Sequence, residues 1–349
     1  MSASVAAFSS YSPEAASTRV RLYDWFDHFG LTVEAHCHAG LRNAAPATLA
    51  RNLGRVLRAE ADLRHFSPSG RMVIMSREAS PLSRGGEEQR ILGGAAHSVY
   101  DFDDAIYLTS SWSRRPFDPP GKFARCVAAA DVVIAGNDQL AEAAAGRARR
   151  VVVIPSCVDP DAYSPRTEWI LPERPALVWL GSKATEQYLE ALLPFLDRLH
   201  AELGIGLRVI SSGVPNPAMA GRDWIRFVPW RLETYASELA KGDIALAPLT
   251  DTPFARGKCA YKLLQYAATA LPIVGSPVGA NRLALERFGG VSVTDDWYEA
   301  VRALLAAPEA IRAEMGHRGL AMVAQHYSFQ AWASPWCTAV GLDEPSTAG

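Results

Sequence analysis

The chain has 349 residues, of which 49% are hydrophobic and 21% are charged, and its formal net charge is -2. This length accommodates two domains with their own cores, since domains usually contain about 100 to 200 residues. The near-neutral charge offers no overall attraction for a polyanion, so nucleic acid is not an expected partner. The five cysteines are widely spaced and lack a C-x-x-C pair, which indicates neither a disulfide framework nor a zinc site.

Neither a signal peptide nor a membrane span is expected from the sequence. Residues 1 to 10 contain no basic residue and only a short apolar patch, unlike a signal peptide. No apolar run reaches the roughly 20 residues that cross a bilayer. We therefore predict a cytoplasmic protein, and nothing in the sequence assigns an oligomeric state.

Short β-rich runs alternate with helical runs along the chain, which is typical of parallel sheets covered by helices. The predicted strands are 5–9, 31–36, 72–75, 98–101, 132–135, 151–154, 177–180, 207–210, 225–228, 244–246, 272–274 and 291–293. We predict an α/β protein with two doubly wound, Rossmann-like domains that face each other across a cleft. Because five prolines lie between positions 155 and 175, that segment is the predicted linker. The predicted domains are 1–160 and 161–327, followed by a C-terminal helix in 328–349.

A predicted helix in the first half carries a basic stripe. Arg51, Arg55 and Arg58 lie on it beside Leu53 and Leu57. Basic amphipathic helices can lie on membrane surfaces, but this patch is small. A solvated helix face is the favoured interpretation, so membrane association is not favoured.

An acidic cluster follows the strand predicted at 98–101. Strand alternation places Asp101 and Asp103 on one side, and Asp104 comes next in the chain. Doubly wound folds bind ligands at the carboxyl ends of their strands, so these carboxylates lie where a ligand is expected. An aspartate that caps the next helix is the alternative. Arg77 ends the preceding strand on the same edge and either faces a phosphate or orients the aspartates, unless it forms an exposed pair with Glu78.

The most informative stretch is Ala255 to Gly279, which predicts a glycine-bearing loop, a helix and a buried strand. If the helix begins near Cys259, then Lys258, Lys262 and Gln265 project from one face at or just before its N-terminus. Free backbone amides, the positive end of the helix dipole and two ammonium groups favour an anion there. We therefore predict a site for a nucleoside diphosphate, and a solvated basic helix face is the alternative.

Several segments resemble retaining glycosyltransferases of the GT-B class, family four. The family's E-x-M-A-x-G-x-P-V-V motif is replaced here by Gln265 to Val274. Three further segments carry the same resemblance. Asp131 to Asp159 resembles the end of the family's first domain, and Leu177 to Ser182 resembles the strand and turn that open its second domain. Lys241 to Leu249 resembles the family's A-D-V-x-L-x-P strand. The resemblance spans roughly residues 131 to 328, and the first hundred residues match only loosely.

The resemblance implies a retaining hexosyl transfer from a nucleoside-diphosphate sugar, with a UDP-sugar favoured. The diphosphate would leave the anomeric carbon while an acceptor hydroxyl, expected on a small molecule, attacks from the same face. The implied catalytic residues are Asp103, Asp104 and Lys258. Lys258 and Lys262 would stabilise the charge on the departing phosphate, with no metal or other cofactor required.

The resemblance also implies contacts on both sides of the reaction. On the donor side, the implied residues are Gly181, Ser182, Trp230, Gly257, Lys258, Lys262 and Gln265. On the acceptor side, they are Arg19, Arg77 and Asp101. Trp230 would read the base, although a buried core tryptophan explains it equally well. In this class the last helix crosses back to the first domain, and Phe329 to Val340, with Trp332 and Trp336, is expected to do so.

Two features depart from the family pattern. Its paired glutamates fall on Gly257 and Gln265, and its phosphate-binding arginine after the Gly181 turn is missing. Gln265 can still bond a ribose hydroxyl. These departures leave open a catalytically silent nucleotide-sugar binding protein and a hydrolase or 2-epimerase of the same fold. The D-x-D pattern of Asp101 and Asp103 leaves open a metal-dependent GT-A-like transferase, in which such carboxylates hold a divalent cation.

Overall fold

The computed structural model describes residues 5–108 and 112–343, and in it the chain divides into two compact units. The first unit contains the residues up to Ser156, the segment Arg256–Cys259 and the residues from Trp332 onward. The second unit contains Cys157–Ala255 and Ala260–Ala331. The short loop before the predicted phosphate-site helix therefore packs with the first unit.

The first unit is built on a six-stranded parallel sheet. Its strands are β1 (Val5–Ser9), β2 (Glu34–Cys37), β3 (Met72–Ser76), β4 (His97–Phe102), β5 (Val132–Ala135) and β6 (Val151–Val153). Their order across the sheet is β2-β1-β3-β4-β5-β6. All residues of β1, β3 and β5 are buried, as expected for parallel strands covered by helices on both faces.

The helices of the first unit cover this sheet. They are α1 (Ala16–Thr18), α2 (Asp24–His28), α3 (Pro46–Arg51), α4 (Leu53–His65), α5 (Gly86–Gly94), α6 (Pro119–Ala129) and α7 (Asp138–Ala145). A π-helical turn, Arg19–Tyr23, joins the first two. In α4 the side chains of Leu53 and Leu57 are 57% and 60% exposed, and Arg55 and Arg58 are exposed with them. None of the helices in the described ranges is long and apolar enough to cross a membrane.

The second unit has its own six-stranded parallel sheet. Its strands are β7 (Ala176–Leu180), β8 (Gly206–Ser211), β9 (Ile225–Pro229), β10 (Ile244–Ala247), β11 (Ile273–Gly275) and β12 (Val291–Ser292). Its helices are α8 (Glu186–Glu190), α9 (Leu193–Leu203), α10 (Tyr235–Leu239), α11 (Pro253–Arg256), α12 (Tyr261–Ala268), α13 (Ala280–Phe288), α14 (Trp297–Ala306) and α15 (Glu309–His326). The strand order β12-β11-β10-β7-β8-β9 is that of the Rossmann fold.

The prediction of an α/β protein with two doubly wound units is confirmed, and every predicted strand is present. The strand ends differ by a few residues. The largest difference is in β2, where pairing with β1 begins only at Glu34, opposite Ala6. Strand β4 continues through Phe102 because that residue still pairs with Ala135.

The strand orders locate the ligand-binding edge of each sheet. In open parallel sheets, ligands bind at the carboxyl ends of the strands where the strand order reverses. That point lies between β1 and β3 in the first unit and between β7 and β10 in the second. Arg77 directly follows β3, and Gly181 directly follows β7. Two of the residues predicted from sequence therefore lie at these reversal points.

The proline-rich segment predicted as a linker is packed on the second unit from Cys157 onward. Trp169 is 3% exposed, and its indole Nε1 donates to the carbonyl of Ala270 at 3.0 Å. The guanidinium Nε of Arg312 donates to the carbonyl of Trp169 at 3.1 Å. These bonds hold the segment against α12 and α15 rather than leaving it as a free connection.

The close approach of Trp169 requires a glycine in α15. A Cβ atom on Gly316 would lie 2.5 Å from both the Trp169 Nε1 and the Ala270 carbonyl oxygen. We expect Gly316→Ala to destabilise the second unit by about 1–3 kcal/mol, because overpacking outweighs the gain in helix propensity. Thermal unfolding measures this. Gly319→Ala in the same helix is the matched control, since its Cβ would meet Ala267 at an ordinary 3.4 Å; equal stability of the two variants would contradict the prediction.

The last helix, α16 (Phe329–Val340), belongs to the first unit from Trp332 onward. Trp336 is 2% exposed, and its ring stacks on Trp25 with centroids 5.0 Å apart and planes at 6°. Trp332 is half-buried. The apolar stripe predicted on this helix thus includes one tryptophan that is anchored in an aromatic stack.

Candidate functional site

Arg77 connects the two aspartates that follow β4. Its guanidinium Nε donates to Asp103 Oδ1 at 2.9 Å, and its Nη2 bonds to Asp104 Oδ2. Burial opposes the charge on Arg77, but the carboxylates of Asp103 and Asp104 outweigh it and raise the pKa of the guanidinium. Arg77 therefore contacts both aspartates, as its predicted role of orienting them requires. The alternative pair with Glu78 is wrong, since Glu78 accepts from Lys122 Nζ at 2.8 Å.

The backbone of Arg77 is held in a left-handed conformation, with φ at 64°. Its N–H donates to the Asp101 carbonyl at 2.8 Å, and its own carbonyl accepts from the Tyr100 hydroxyl at 2.8 Å. A non-glycine residue in this region of φ is uncommon and persists where the surroundings compensate for it. Here two hydrogen bonds to β4 fix the turn that carries the guanidinium toward the aspartates.

The Asp101 side chain is buried in an ion pair rather than exposed at the edge of the sheet. It accepts from Arg21 Nε at 3.0 Å and from Arg21 Nη2 at 2.6 Å, and the two side chains are only 3% and 1% exposed. Arg21 also donates to the carbonyl of Ile154 at 3.0 Å. This burial argues against the predicted acceptor contact of Asp101. It also removes Asp101 from the carboxylate pair of the GT-A-like alternative.

Arg19, the other acceptor-side prediction from this region, lies in the π-helical turn with its side chain 10% exposed, and its Nε is 3.8 Å from Asp24 Oδ2. Its burial argues against the predicted acceptor contact. The sequence alone did not show that Arg21, rather than Arg19, forms the buried ion pair, because its partner Asp101 lies 80 positions further along the chain.

The loop Gly257 to Cys259 is fastened to the first unit by Asn137. The Asn137 amide donates to the carbonyls of Gly257 and Lys258 at 3.0 Å and 3.2 Å, and its oxygen caps α7 by accepting from Leu140 N at 2.9 Å. The Cys259 thiol donates to the Asp103 carbonyl at 3.1 Å. Burial, followed by nearby carboxylates, raises the pKa of this thiol, which keeps it protonated as a donor.

Gly257 permits a close approach that no other residue allows. A Cβ atom there would lie 2.7 Å from the Cβ of Ala105 and 3.2 Å from Leu140 Cδ2. The family's first glutamate would stand at this position, and the packing leaves no space for its side chain. The packing of the loop therefore accounts for glycine, rather than the family's glutamate, at position 257.

Lys258 lies in this loop and precedes the helix. Helix α12 begins at Tyr261, after Ala260 in a left-handed conformation with φ at 55°. The predicted start near Cys259 is therefore wrong, and Lys258 does not share a helix face with Lys262. Its Nζ lies 3.4 Å from Asp104 Oδ1, and its side chain is 26% exposed. Lys258 thus joins Asp103, Asp104 and Arg77 in a group we call the acidic-loop cluster.

In the second unit, the turn after β7 consists of Gly181 and Ser182 and is here called the Gly181 turn. The Ser182 N–H donates to Thr185 Oγ1 at 3.1 Å, and this bond closes the turn. Lys262, in the first turn of α12, donates from Nζ to the same hydroxyl at 3.1 Å. Its ammonium also lies 4.3 Å from the centre of the Trp179 indole.

Lys183 is the first cation after the Gly181 turn, where the family's phosphate-binding arginine is missing. Its Nζ lies 2.8 Å from Glu186 Oε2. The Glu186 side chain is 1% exposed, and it also accepts from Ser211 Oγ at 2.6 Å. The buried Glu186 carboxylate, which accepts two hydrogen bonds, therefore compensates the positive charge of Lys183. Lys262 is the lysine that lies against the Gly181 turn.

Two further residues predicted to contact the donor, Gln265 and Trp230, also lie in the second unit. Gln265 is 4% exposed in α12 and occupies a core position, which argues against the predicted ribose contact. Trp230 is half-buried, and its ring stacks on Tyr235 with centroids 5.7 Å apart. Trp230 follows β9, so its ring lies at the ligand-binding edge of the sheet, where a base contact stays a prediction.

No group of three or more histidine, cysteine, aspartate or glutamate side chains is placed to hold a metal ion within the described ranges. Cationic groups at the two ligand-binding edges include Arg77, Lys258 and Lys262. Sequence reasoning missed three residues of this arrangement: Arg21, Asn137 and Trp179. Only Asn137 carried a local signal, as an asparagine placed directly before a helix.

No protein-family model matches the chain, and a search of curated protein sequences finds no match. Solved structures do match. Sucrose-phosphate synthase from Thermosynechococcus elongatus superimposes with a TM-score of 0.70, over 96% of this chain and 98% of that one, at 15% identity. WaaG, a glycosyltransferase involved in lipopolysaccharide biosynthesis, gives 0.67 over 99% and 100% at 14% identity. HepE of Anabaena, solved in complex with UDP-glucose, gives 0.68 over 97% and 99% at 11% identity.

These likenesses extend over nearly the whole length of both chains in each case. The protein therefore has the GT-B fold, as the resemblance implied. At such identities the likeness defines the fold and leaves the chemistry to be argued from this chain's own side chains.

Proposed function

We propose that the protein is a retaining glycosyltransferase that moves a sugar from a nucleoside-diphosphate sugar to an acceptor hydroxyl. The observation that carries the proposal is the Lys262 ammonium, held beside the Gly181 turn at the point where the sheet order reverses. A glycine turn, a helix N-terminus and a cation at such a point form the usual setting for a diphosphate. The complex of the similar HepE with UDP-glucose supports a UDP-sugar as donor.

Lys258 is proposed as the second cation on the diphosphate. It lies four positions before Lys262 in the chain, so their Cα atoms lie at most about 15 Å apart whatever the path of the loop. Negative charge develops on the phosphate oxygen as the sugar departs, and two positioned ammonium groups stabilise it more in the transition state than in the ground state. This electrostatic role is assigned to lysines, without a metal.

Asp103 and Asp104 are proposed to receive hydroxyl groups of the acceptor or of the transferred sugar. Each ionised carboxylate offers about four lone-pair sites, and Arg77 and Lys258 occupy only part of them. Within the acidic-loop cluster, two carboxylates face two cations, so the cluster is formally neutral. A neutral hydroxyl acceptor fits such a cluster better than an anionic one, and a small molecule is the proposed acceptor.

One observation favours a second candidate, a catalytically silent nucleotide-sugar binding protein. The positions of the family's paired glutamates hold Gly257, packed against Ala105, and the buried Gln265. Neither can supply a carboxylate to the sugar. Both candidates are expected to bind the nucleotide sugar, and only the transferase is expected to turn it over.

The test is calorimetric titration of the protein with UDP, GDP, dTDP and ADP, first without and then with magnesium. We expect micromolar binding of UDP without metal, because lysines neutralise the diphosphate. The sugar forms of the nucleotide that binds are then incubated with candidate acceptors. Acceptor-dependent product identifies the transferase, and tight binding without product identifies the silent protein. Binding only with magnesium, or none at all, would contradict the proposed donor site.

A further inference from the structure

We propose that Trp179 is a positioning residue whose indole face holds the Lys262 ammonium over the Gly181 turn, ready for the diphosphate. The inference rests on the proposed function and adds a specific device to it. The position of the Lys262 ammonium in the donor site is fixed by the Trp179 ring beneath it before any ligand binds.

The geometry is that of a cation–π contact. Lys262 Nζ lies 4.3 Å from the centre of the Trp179 ring, within the roughly 6 Å over which such contacts are favourable. Tryptophan is the strongest of the aromatic partners, and the contact gains strength when water is excluded. Trp179 is 0% exposed and Lys262 is half-buried, so water is excluded from the ring and reaches the ammonium only in part.

The ring also approaches the backbone of the turn itself. A Cβ atom on Gly181 would lie 2.2 Å from Trp179 Cη2 and 2.8 Å from Lys262 Nζ. The indole, the glycine and the ammonium therefore lie in direct contact with one another. Glycine is needed at 181 because the ring and the lysine already occupy the space of a side chain.

The indole N–H does not orient the ring. Within the described part of the chain, Trp179 Nε1 is buried and has no hydrogen-bond partner, whereas most buried polar groups do. The orientation is therefore set by packing and by the contact of its face with Lys262. A leucine would fill an apolar position without leaving an unpaired donor, and a phenylalanine would be a weaker cation–π partner, so tryptophan suits a use of its π-face.

Thr185 holds the ammonium from another direction, through its Oγ1 at 3.1 Å. A long, flexible lysine side chain loses rotamer entropy when it is immobilised. Because the hydroxyl and the ring restrict Lys262 beforehand, less of this loss remains when a diphosphate binds. Pre-organisation of this kind raises affinity without adding a contact to the ligand.

A purely structural role is the competing explanation, since Trp179 also packs in an apolar cluster with Leu189 and Leu246. The experiment is a double-mutant cycle. Trp179→Phe and Trp179→Leu are made alone and together with Lys262→Met, which removes the charge and keeps the stem. The dissociation constants of UDP and of uridine are measured by calorimetry, uridine by displacement. If the titration above selects another base, that diphosphate and its nucleoside replace them.

We expect Trp179→Phe to weaken UDP binding about three- to tenfold and Trp179→Leu to weaken it more, following the order of cation–π strength. Uridine carries no phosphate, so its affinity is expected to stay unchanged. In the Lys262→Met background, neither change at 179 is expected to weaken UDP binding further. Trp297→Phe, a buried indole in the same apolar cluster, is the matched control and is expected to leave both affinities unchanged.

Equal losses for UDP with and without the Lys262 ammonium would overturn the inference, because the ring would then act through the fold. Parallel losses for UDP and uridine, or no loss in either, would overturn it as well. In each of these cases UDP still binds the unaltered protein, and the proposed function stands. Failure of every diphosphate to bind the unaltered protein would overturn the proposed function and the inference together.

Discussion

Replacing Lys258 with alanine is expected to lower kcat/KM for sugar transfer about 100-fold, the usual cost of removing one group that stabilises charge in a transition state. Affinity for the nucleoside diphosphate should fall with it. The fold should be unaffected, because the ion pair of Lys258 with Asp104 is long, at 3.4 Å, and partly exposed. Steady-state kinetics, diphosphate titration and thermal unfolding of the variant give the three quantities.

The matched control is Lys241→Ala, which removes an exposed lysine that pairs with Glu238 on the surface of the second unit. It changes the net charge by the same amount, so it corrects for long-range electrostatics. We expect its kinetics and affinity to equal those of the unaltered protein. Unchanged diphosphate affinity in Lys258→Ala would remove this lysine from the donor site and leave Lys262 as its cation.

Replacing Arg21 with methionine is expected to lower the free energy of unfolding of the first unit by about 3–5 kcal/mol, the cost of leaving a buried charge without its partner. Asp101 would keep a carboxylate that is 3% exposed, and the carbonyl of Ile154 would lose a donor. Denaturant unfolding, followed by a probe in the first unit, measures the change.

The double variant Arg21→Met, Asp101→Leu is the control, because it removes both charges and leaves an apolar pair in their place. Such replacements are often close to neutral, so most of the lost stability should return. A loss below about 1 kcal/mol in the single variant would show that the pair behaves like an exposed one. If the double variant is stable but has a raised KM for the acceptor, then the acceptor contact predicted for Asp101 would be right after all.

Much of the fold could be predicted from the sequence because its signals are local. Strands such as β3 and β5 are short runs of β-branched and other apolar residues, bounded by turn residues, and burial on both faces demands that composition. The alternation of such runs with helices predicts parallel sheets without knowledge of any long-range contact. The anion site predicted around Lys262 rests on a local signal too, since it depends on a helix and its N-terminal neighbours.

The partners of the charged residues were decided only by the tertiary structure. Arg21 meets Asp101, and Lys262 meets Trp179, because the order of the parallel strands brings distant segments to the same place. One backbone angle, the φ of 55° at Ala260, decided that Lys258 lies outside α12. Alanine rarely adopts this angle by itself, so the packing of the loop against its neighbours imposes it.

The sequence by itself thus determined the α/β class, the strands and the region of the candidate donor site. The tertiary structure decided which aspartate is buried, which lysine lies over the glycine turn and which ring lies beneath it. The physical reason is that secondary structure follows from the periodicity of neighbouring residues. A side chain's charge partner, by contrast, depends on strand order and on close approaches, such as that at Gly181, which no local pattern encodes.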